Sequence, residues 1–177
     1  TVSRVRPRPP ETVLRRFDDL RRRTNAIIDG VRRFSYELRP DVLDQLGLIA
    51  ALETLTNDLS KDTGIRAHVE VVGVERRLAP DLELALFRIA QESLQNVRKH
   101  SMATKVVVTV MFEMDSVRLE ATDNGRGFEV VDDLSDLAGR SRFGLIGMEE
   151  RVRLFDGRLK VQSQLGKGTT ISAEVAG

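Results

Sequence analysis

Val13, Phe17, Leu20, Thr24, Ile27, Val31, Phe34 and Leu38 recur at alternating spacings of four and three, and all but Thr24 are apolar. That register is a heptad seam, and it predicts a long helix from Glu11 to Leu38 that packs along other long helices. Arg15, Arg16, Arg21, Arg22, Arg23, Arg32 and Arg33 fall off the seam and form its solvated outer face. Residues 1–10 are rich in Arg and Pro and read as a linker or inter-helix loop. Pro40 ends the helix, because the residue before a proline is pushed out of the α region. Asp41 then caps a second helix carrying Leu43, Leu46, Leu48, Leu52, Leu55 and Leu59, and Gly64 terminates it.

Beyond Gly64 the pattern changes period. Arg66–Val72 alternates as a strand does, and Pro80 and Asp81 open a strong helix that runs to about His100. Leu86, Ile89, Ala90, Ser93, Leu94 and Val97 make its buried stripe. Lys105–Phe112 and Ser116–Thr122 read as strands joined by a turn at Asp115. Residues 129–142 are polar, have no clear period and predict a mobile loop. Leu145–Phe155 reads as a helix. Arg158–Gln164 and Thr169–Val175 close the chain as a strand pair around Gly166-Lys167-Gly168. This mixture predicts an α/β two-layer sandwich with a mixed, largely antiparallel sheet, preceded by a long heptad-patterned helix. The domain boundary falls between a helical segment, residues 1–62, and a mixed domain, residues 63–177.

Composition narrows the chemistry. The chain has 177 residues, enough for one domain plus an appendage. It has no cysteine, which removes disulfides and thiolate metal sites, and only two histidines, which argues against a multi-histidine metal centre. A net charge of +1 does not call for a nucleic-acid partner. No apolar run approaches the ~20 residues of a membrane span. The start at Thr1-Val2-Ser3, without an initiator Met, reads as the interior of a longer chain.

Four groups of residues carry candidate chemistry. Asp123-Asn124-Gly125-Arg126-Gly127-Phe128 follows the strand ending at Thr122. An acid at the base of a pocket accepts a hydrogen bond from an exocyclic amine such as adenine N6. Gly125 and Gly127 let the backbone come close to a ligand, although Asp-Asn-Gly is also an ordinary turn signal. Glu92, Asn96 and Lys99 lie at i, i+4 and i+7 and share one helix edge. An amide oxygen there suits Mg²⁺, which takes few protein ligands, while Lys99 neutralises phosphate; the same edge also serves as a solvated face with i,i+4 pairing. Gly144 and Gly147, in Phe143-Gly144-Leu145-Ile146-Gly147-Met148, sit at a predicted helix entrance where backbone N–H groups form an anion site, and they are candidate hinges for the polar loop. Gly166-Lys167-Gly168-Thr169 opens the last strand, either as a plain hairpin turn or to set Thr169 beside Asp123.

Together with Phe87–His100 and Gly144-Leu145-Ile146-Gly147-Met148-Glu149-Glu150-Arg151, these motifs resemble the ATP-binding domain of sensor histidine kinases, within the group that includes gyrase, Hsp90 and MutL. The resemblance covers roughly residues 63–177. The Gly-Leu-x-Gly-Met-x-Glu-Arg form is similar to the subfamily whose response regulators carry a LuxR/NarL-type helix-turn-helix. Leu38–Leu48 resembles that subfamily's connector between dimerisation helices and kinase domain.

The resemblance implies Asp123 on adenine N6, Gly125 and Gly127 beside the nucleotide, and Asn96 on Mg²⁺. It implies Lys99 and His100 on phosphate, and Thr169 supporting the adenine pocket. Gly144, Leu145, Gly147 and Met148 belong to a closing lid, and Glu92 orients the magnesium shell or the phosphoacceptor. It further implies a homodimer through a helical bundle, a response-regulator receiver domain as partner, no direct nucleic-acid contact, and a cytoplasmic location, free or as part of a membrane-anchored sensor. One departure matters. Neither His68 nor His100 fits the acceptor histidine of the first dimerisation helix, so Glu11–Leu38 resembles the second helix only, and the first, with the acceptor, is either upstream of this chain or absent. Two readings of other classes are an ATP-driven switch of the gyrase and Hsp90 kind, with Glu92 as general base, and a non-catalytic interaction module.

Overall fold

The alternation in the central strands becomes one buried face. In a computed structural model that describes residues 40–129 and 140–176, Val106, Val108, Val110 and Phe112 of β2 (Lys105–Phe112) point inward. So do Val117, Leu119 and Ala121 of β3 (Ser116–Asp123) and Ile171, Ala173 and Val175 of β5 (Gly168–Ala176). Each fully buried Val, Leu, Ile or Phe among them contributes about 1.5–3 kcal/mol through removal of apolar area from water. Side chains of residues 140–143 are outside the description, as are the predicted linker, the heptad helix and residues 130–139 of the predicted mobile loop.

Among the described residues five strands take the order β1-β2-β3-β5-β4, with β1 spanning Arg66–Gly73 and β4 Arg158–Gln164. Only β1 and β2 pair in parallel; the other three pairings are antiparallel. The expected mixed, largely antiparallel sheet is therefore observed. Residues on the far face pair with one another: Arg118 with Glu174 at 2.8 Å, Thr122 with Thr170, and Glu120 with Ser172.

Helices cover the apolar face. The predicted second helix is two helices, α1 (Asp41–Leu46) and α2 (Leu48–Thr63), because Gly47 breaks it at φ 90° and ψ −176°, a backbone no L-residue adopts comfortably. Gly64 ends α2 in the left-handed conformation, as expected. Both helices pack with the sandwich, and residues 40–177 form one compact unit. α3 (Pro80–Asn96) has Pro at its start and Asp81 and Glu83 in its first turn, which suit the free N–H groups there. It is buried on two sides, against the sheet and against α2, so Leu84 and Phe87 are as hidden as Leu86 and Ile89.

α3 does not run on as an α-helix to His100. Val97–Ser101 is a π turn, closed by Met102 in the left-handed conformation. α4 spans Arg140–Arg153, so it begins five residues before the predicted start at Leu145.

Candidate functional site

A cavity of about 270 Å³ opens where α3, the π turn, the loop after β3, α4 and the start of β5 meet. Asn96, His100, Asp123, Gly127, Leu145 and Thr169 line it, six residues singled out by sequence from four distant stretches. Ser93, Val97, Ser101, Ala121, Arg126, Phe128, Glu129 and Ile171 complete the lining.

Asp123 is the last residue of β3 and is 8% exposed. β3 pairs with β5, which sets Asp123 directly opposite Thr169. The Gly125 N–H donates to Asp123 Oδ1 at 2.7 Å. Burial pushes the Asp123 carboxyl above its ordinary pKa, while the N–H groups of Gly125 and Thr169 pull the other way. The result is an acceptor fixed in direction at a poorly hydrated end of the cavity. Thr169 Oγ1 and Ser163 Oγ lie 2.9 Å apart and brace the same corner.

The loop after Asp123 is stitched down by its own backbone. The Arg126 N–H donates to the Ser101 carbonyl at 2.7 Å, and the Gly166 N–H donates to the Arg126 carbonyl at 2.6 Å. Asn124 Oδ1 accepts from the N–H groups of Thr104 and Lys105. A Cβ on Gly125 would run into the Ser101 carbonyl, and one on Gly127 into the Gln164 carbonyl. The sequence reading assigned these glycines to ligand approach. In the structure the space they leave is filled by the protein itself, and only Gly127 lines the cavity.

α3 supplies another part of the lining. Asn96 lines the cavity, and no hydrogen bond among the described residues holds its side-chain amide, which leaves its oxygen available. Glu92 and Asn96 lie four apart on one face. Lys99 does not follow them. A π turn advances each residue by less than the roughly 100° of an α-helix. Lys99 therefore falls short of the cavity and donates to Gln95 Oε1 at 3.0 Å on an exposed surface. His100, one residue later, arrives in its place and lines the cavity.

The glycines of the third motif are placed differently from expectation. Gly144 and Gly147 lie inside α4, not at its entrance, so their N–H groups fall within the helical ladder and offer no anion site there. A Cβ on Gly144 would collide with Glu92 Oε1, so this glycine lets α4 lie directly on the Glu92 carboxylate. Leu145 turns into the cavity, and Met148 is fully buried beneath it, with its sulfur 3.9 Å from Ser93 Oγ. Nearby, burial and the like charge of Arg151 hold the Arg88 guanidinium below its ordinary pKa.

Among the lining residues that sequence reasoning did not single out for the site, Ala121 and Ile171 were within reach. Strand period two places them on the same face as Asp123 and Thr169. Ser101 depends on the π turn, and Arg126 on the pinned loop; neither has a sequence signal of its own.

The surroundings of this cavity match known proteins. Residues 81–176 match the family described as histidine kinase-, DNA gyrase B-, and HSP90-like ATPase. The chain is 40% identical over 149 residues to the sensor histidine kinase MctS of Rhizobium johnstonii, covering 84% of this chain and 32% of that protein. It is 38% identical to the histidine-protein kinase/phosphatase DegS of Bacillus subtilis, covering 98% of this chain and 46% of DegS. With the oxygen sensor histidine kinase NreB of Staphylococcus carnosus it is 34% identical, over 85% of this chain and 42% of that one. The chain thus spans less than half the length of these relatives. The fold is shared with the histidine kinase domain of the Erythrobacter litoralis EL346 blue-light activated kinase, at TM-score 0.56 and 19% identity over 72% of this chain and 60% of that one. The chain belongs to the histidine kinase-, DNA gyrase B- and HSP90-like ATPase family.

Proposed function

We propose that the cavity holds Mg-ATP with adenine on Asp123 and phosphates toward Asn96 and His100, poised to phosphorylate a histidine outside residues 1–177. One observation carries this reading. A buried, oriented carboxylate, a free amide and an imidazole line a single cavity. The carboxylate accepts from the adenine N6 amine. Thr169 and the loop around Gly125 and Gly127 keep it in place. Leu145 closes the apolar wall, with Met148 behind it.

Asn96 and the magnesium requirement fit each other. The described residues contain no group of three His, Cys, Asp or Glu side chains that could hold a metal alone. Mg²⁺ keeps most of its waters and is taken up with substrate phosphates through one or two protein oxygens. Asn96 supplies one such oxygen. Glu92, on the same face, orients that shell or the phosphoacceptor once α4 moves off it, with Gly144 and Gly147 as the yielding points of the lid.

In this scheme residues 1–62 are the dimerisation helix and connector, α1 and α2 being the connector, and residues 63–177 bind ATP. The dimer forms through the helical bundle, the phosphoryl group passes on to a response-regulator receiver domain, and the assembly works in the cytoplasm. The test is to supply a helix bearing the acceptor histidine and to measure acid-labile phosphate on it. Incorporation that needs Mg²⁺ and falls with Asn96→Ala supports the scheme. ATP hydrolysis that ignores the added helix would replace it with the ATPase-switch reading.

The π turn makes a sharper prediction. His100→Ala weakens ATP binding by about 1.5–3 kcal/mol, the scale of a hydrogen bond to a charged group. Lys99→Ala, which removes an exposed contact with Gln95, costs about 0.5 kcal/mol or less. Calorimetry on the two variants separates them; a larger loss for Lys99→Ala would mean that the π turn rewinds when ATP binds.

A further inference from the structure

Gly47, the break between α1 and α2, is covered by a side chain from another part of the chain. A Cβ added at Gly47 would stand 2.8 Å from Arg77 Nη1, 3.5 Å from Cζ and 3.7 Å from Cδ, so the Arg77 side chain lies flat on the glycine backbone. The same side chain reaches the other way. Arg77 Nε is 3.2 Å from Glu83 Oε1 in the first turn of α3. Glu83 is 1% exposed, and its Oε1 also accepts the Leu78 N–H at 3.2 Å. A nearly inaccessible carboxylate needs its cationic partner, so this bond fixes where the Arg77 side chain goes. Without a Cβ, Gly47 leaves room for it in this position. One side chain thus makes both contacts, an ion pair with Glu83 through Nε and close packing on Gly47 through the rest of the guanidinium.

We propose that Arg77 is a positioning residue that ties the connector to the helix carrying Glu92 and Asn96, and so sets how firmly α1 is held against the ATP-binding body. The inference rests on the kinase reading for its purpose, since α1 is where residues 1–39 join that body in sequence. A structural alternative is that Arg77 merely neutralises Glu83.

The double variant Arg77→Met with Glu83→Gln separates these. It leaves no unpaired buried charge and keeps the acceptor for the Leu78 N–H. Hydrogen exchange is measured on the 177-residue chain, with Glu83→Gln alone as the control that retains Arg77. A tie predicts exchange of the Leu43–Leu48 amides about tenfold faster in the double variant than in the control, through local opening of α1. Amides of α3 around Glu92 and Asn96 keep their protection, and affinity for Mg-ATP stays within about twofold. Unchanged α1 exchange in the double variant would reduce Arg77 to a counter-ion and overturn the proposal. Exchange decides this whether or not the wild-type chain binds nucleotide, and a wild-type chain that binds none would count against the kinase reading alone.

Discussion

Asp123→Asn weakens ATP binding and stabilises the empty protein. The binding loss is about 1.5–3 kcal/mol, the range for a hydrogen bond to a charged group. That corresponds to roughly 10- to 150-fold in Kd. The asparagine keeps an oxygen for the Gly125 N–H, so the loop stays in place. What is lost is the second negative oxygen, replaced by an N–H₂ that faces the adenine amine donor to donor. The stability effect has the opposite sign. Burial raises the Asp123 pKa above its ordinary 3.8 in the folded chain. Between that value and the raised one, the folded state holds more proton than the unfolded state. Stability therefore falls as pH rises through that window, and above it the buried charge opposes folding. Removing the charge lifts the melting temperature at pH 7, and the gain disappears at pH below the ordinary carboxylate value. Thermal melts at both pH values, without nucleotide, check this. A variant that is less stable at pH 7 would show that the carboxylate holds the fold together and is not spent on a ligand.

Gly168→Ala has the largest effect expected on folding. Gly168 sits at φ 84°, and an added Cβ would run into the Asp123 carbonyl and crowd Asn124 Cα. The left-handed backbone costs an L-residue about 1–3 kcal/mol, and overpacking against backbone that cannot swing away adds about 1–3 kcal/mol. Gly168 opens β5 one residue before Thr169, so the disturbance falls on the pairing that sets Thr169 opposite Asp123. A loss of about 2–6 kcal/mol in denaturant unfolding is expected. Gly166→Ala, three residues from Thr169 and with open space around it, serves as the comparison. It shares the positive φ, at 77°, but not the collision, so the difference between the two variants isolates the contact with β3. Equal losses would mean that backbone conformation alone is at issue.

What the sequence discloses depends on the range of the signal. Strand alternation in Lys105–Phe112 and Ser116–Asp123 marks a face, and that face is the one buried. Motif residues that belong to the ends of such elements, Asp123 and Thr169 above all, reach the cavity as expected. Helix geometry is less secure when its hydrogen bonding changes. The spacing of Glu92, Asn96 and Lys99 presumes an uninterrupted α-helix, and five residues of π turn are enough to exchange Lys99 for His100. Glycines are legible as permissive positions, but not as to what uses the permission. Gly125 accommodates the Ser101 carbonyl, Gly144 the Glu92 carboxylate and Gly47 the Arg77 guanidinium, each a neighbour distant in sequence. Gly47 also shows why Asp41–Thr63 reads as one helix. Its leucine spacing continues across the break, and the break itself is a single torsion.

The most direct test of the adenine assignment compares two nucleotides that differ where Asp123 is said to act. Inosine triphosphate carries a carbonyl at the position of the adenine N6 amine and is otherwise close in shape and charge to ATP. Titrated into the wild-type chain with Mg²⁺, ATP should bind at least about tenfold more tightly, since the carboxylate would face an acceptor in the analogue. In Asp123→Asn that preference should shrink or reverse, because the amide can donate to the carbonyl. Equal affinity of the wild-type chain for the two nucleotides, or an ATP preference untouched by the substitution, would contradict the placement of adenine on Asp123.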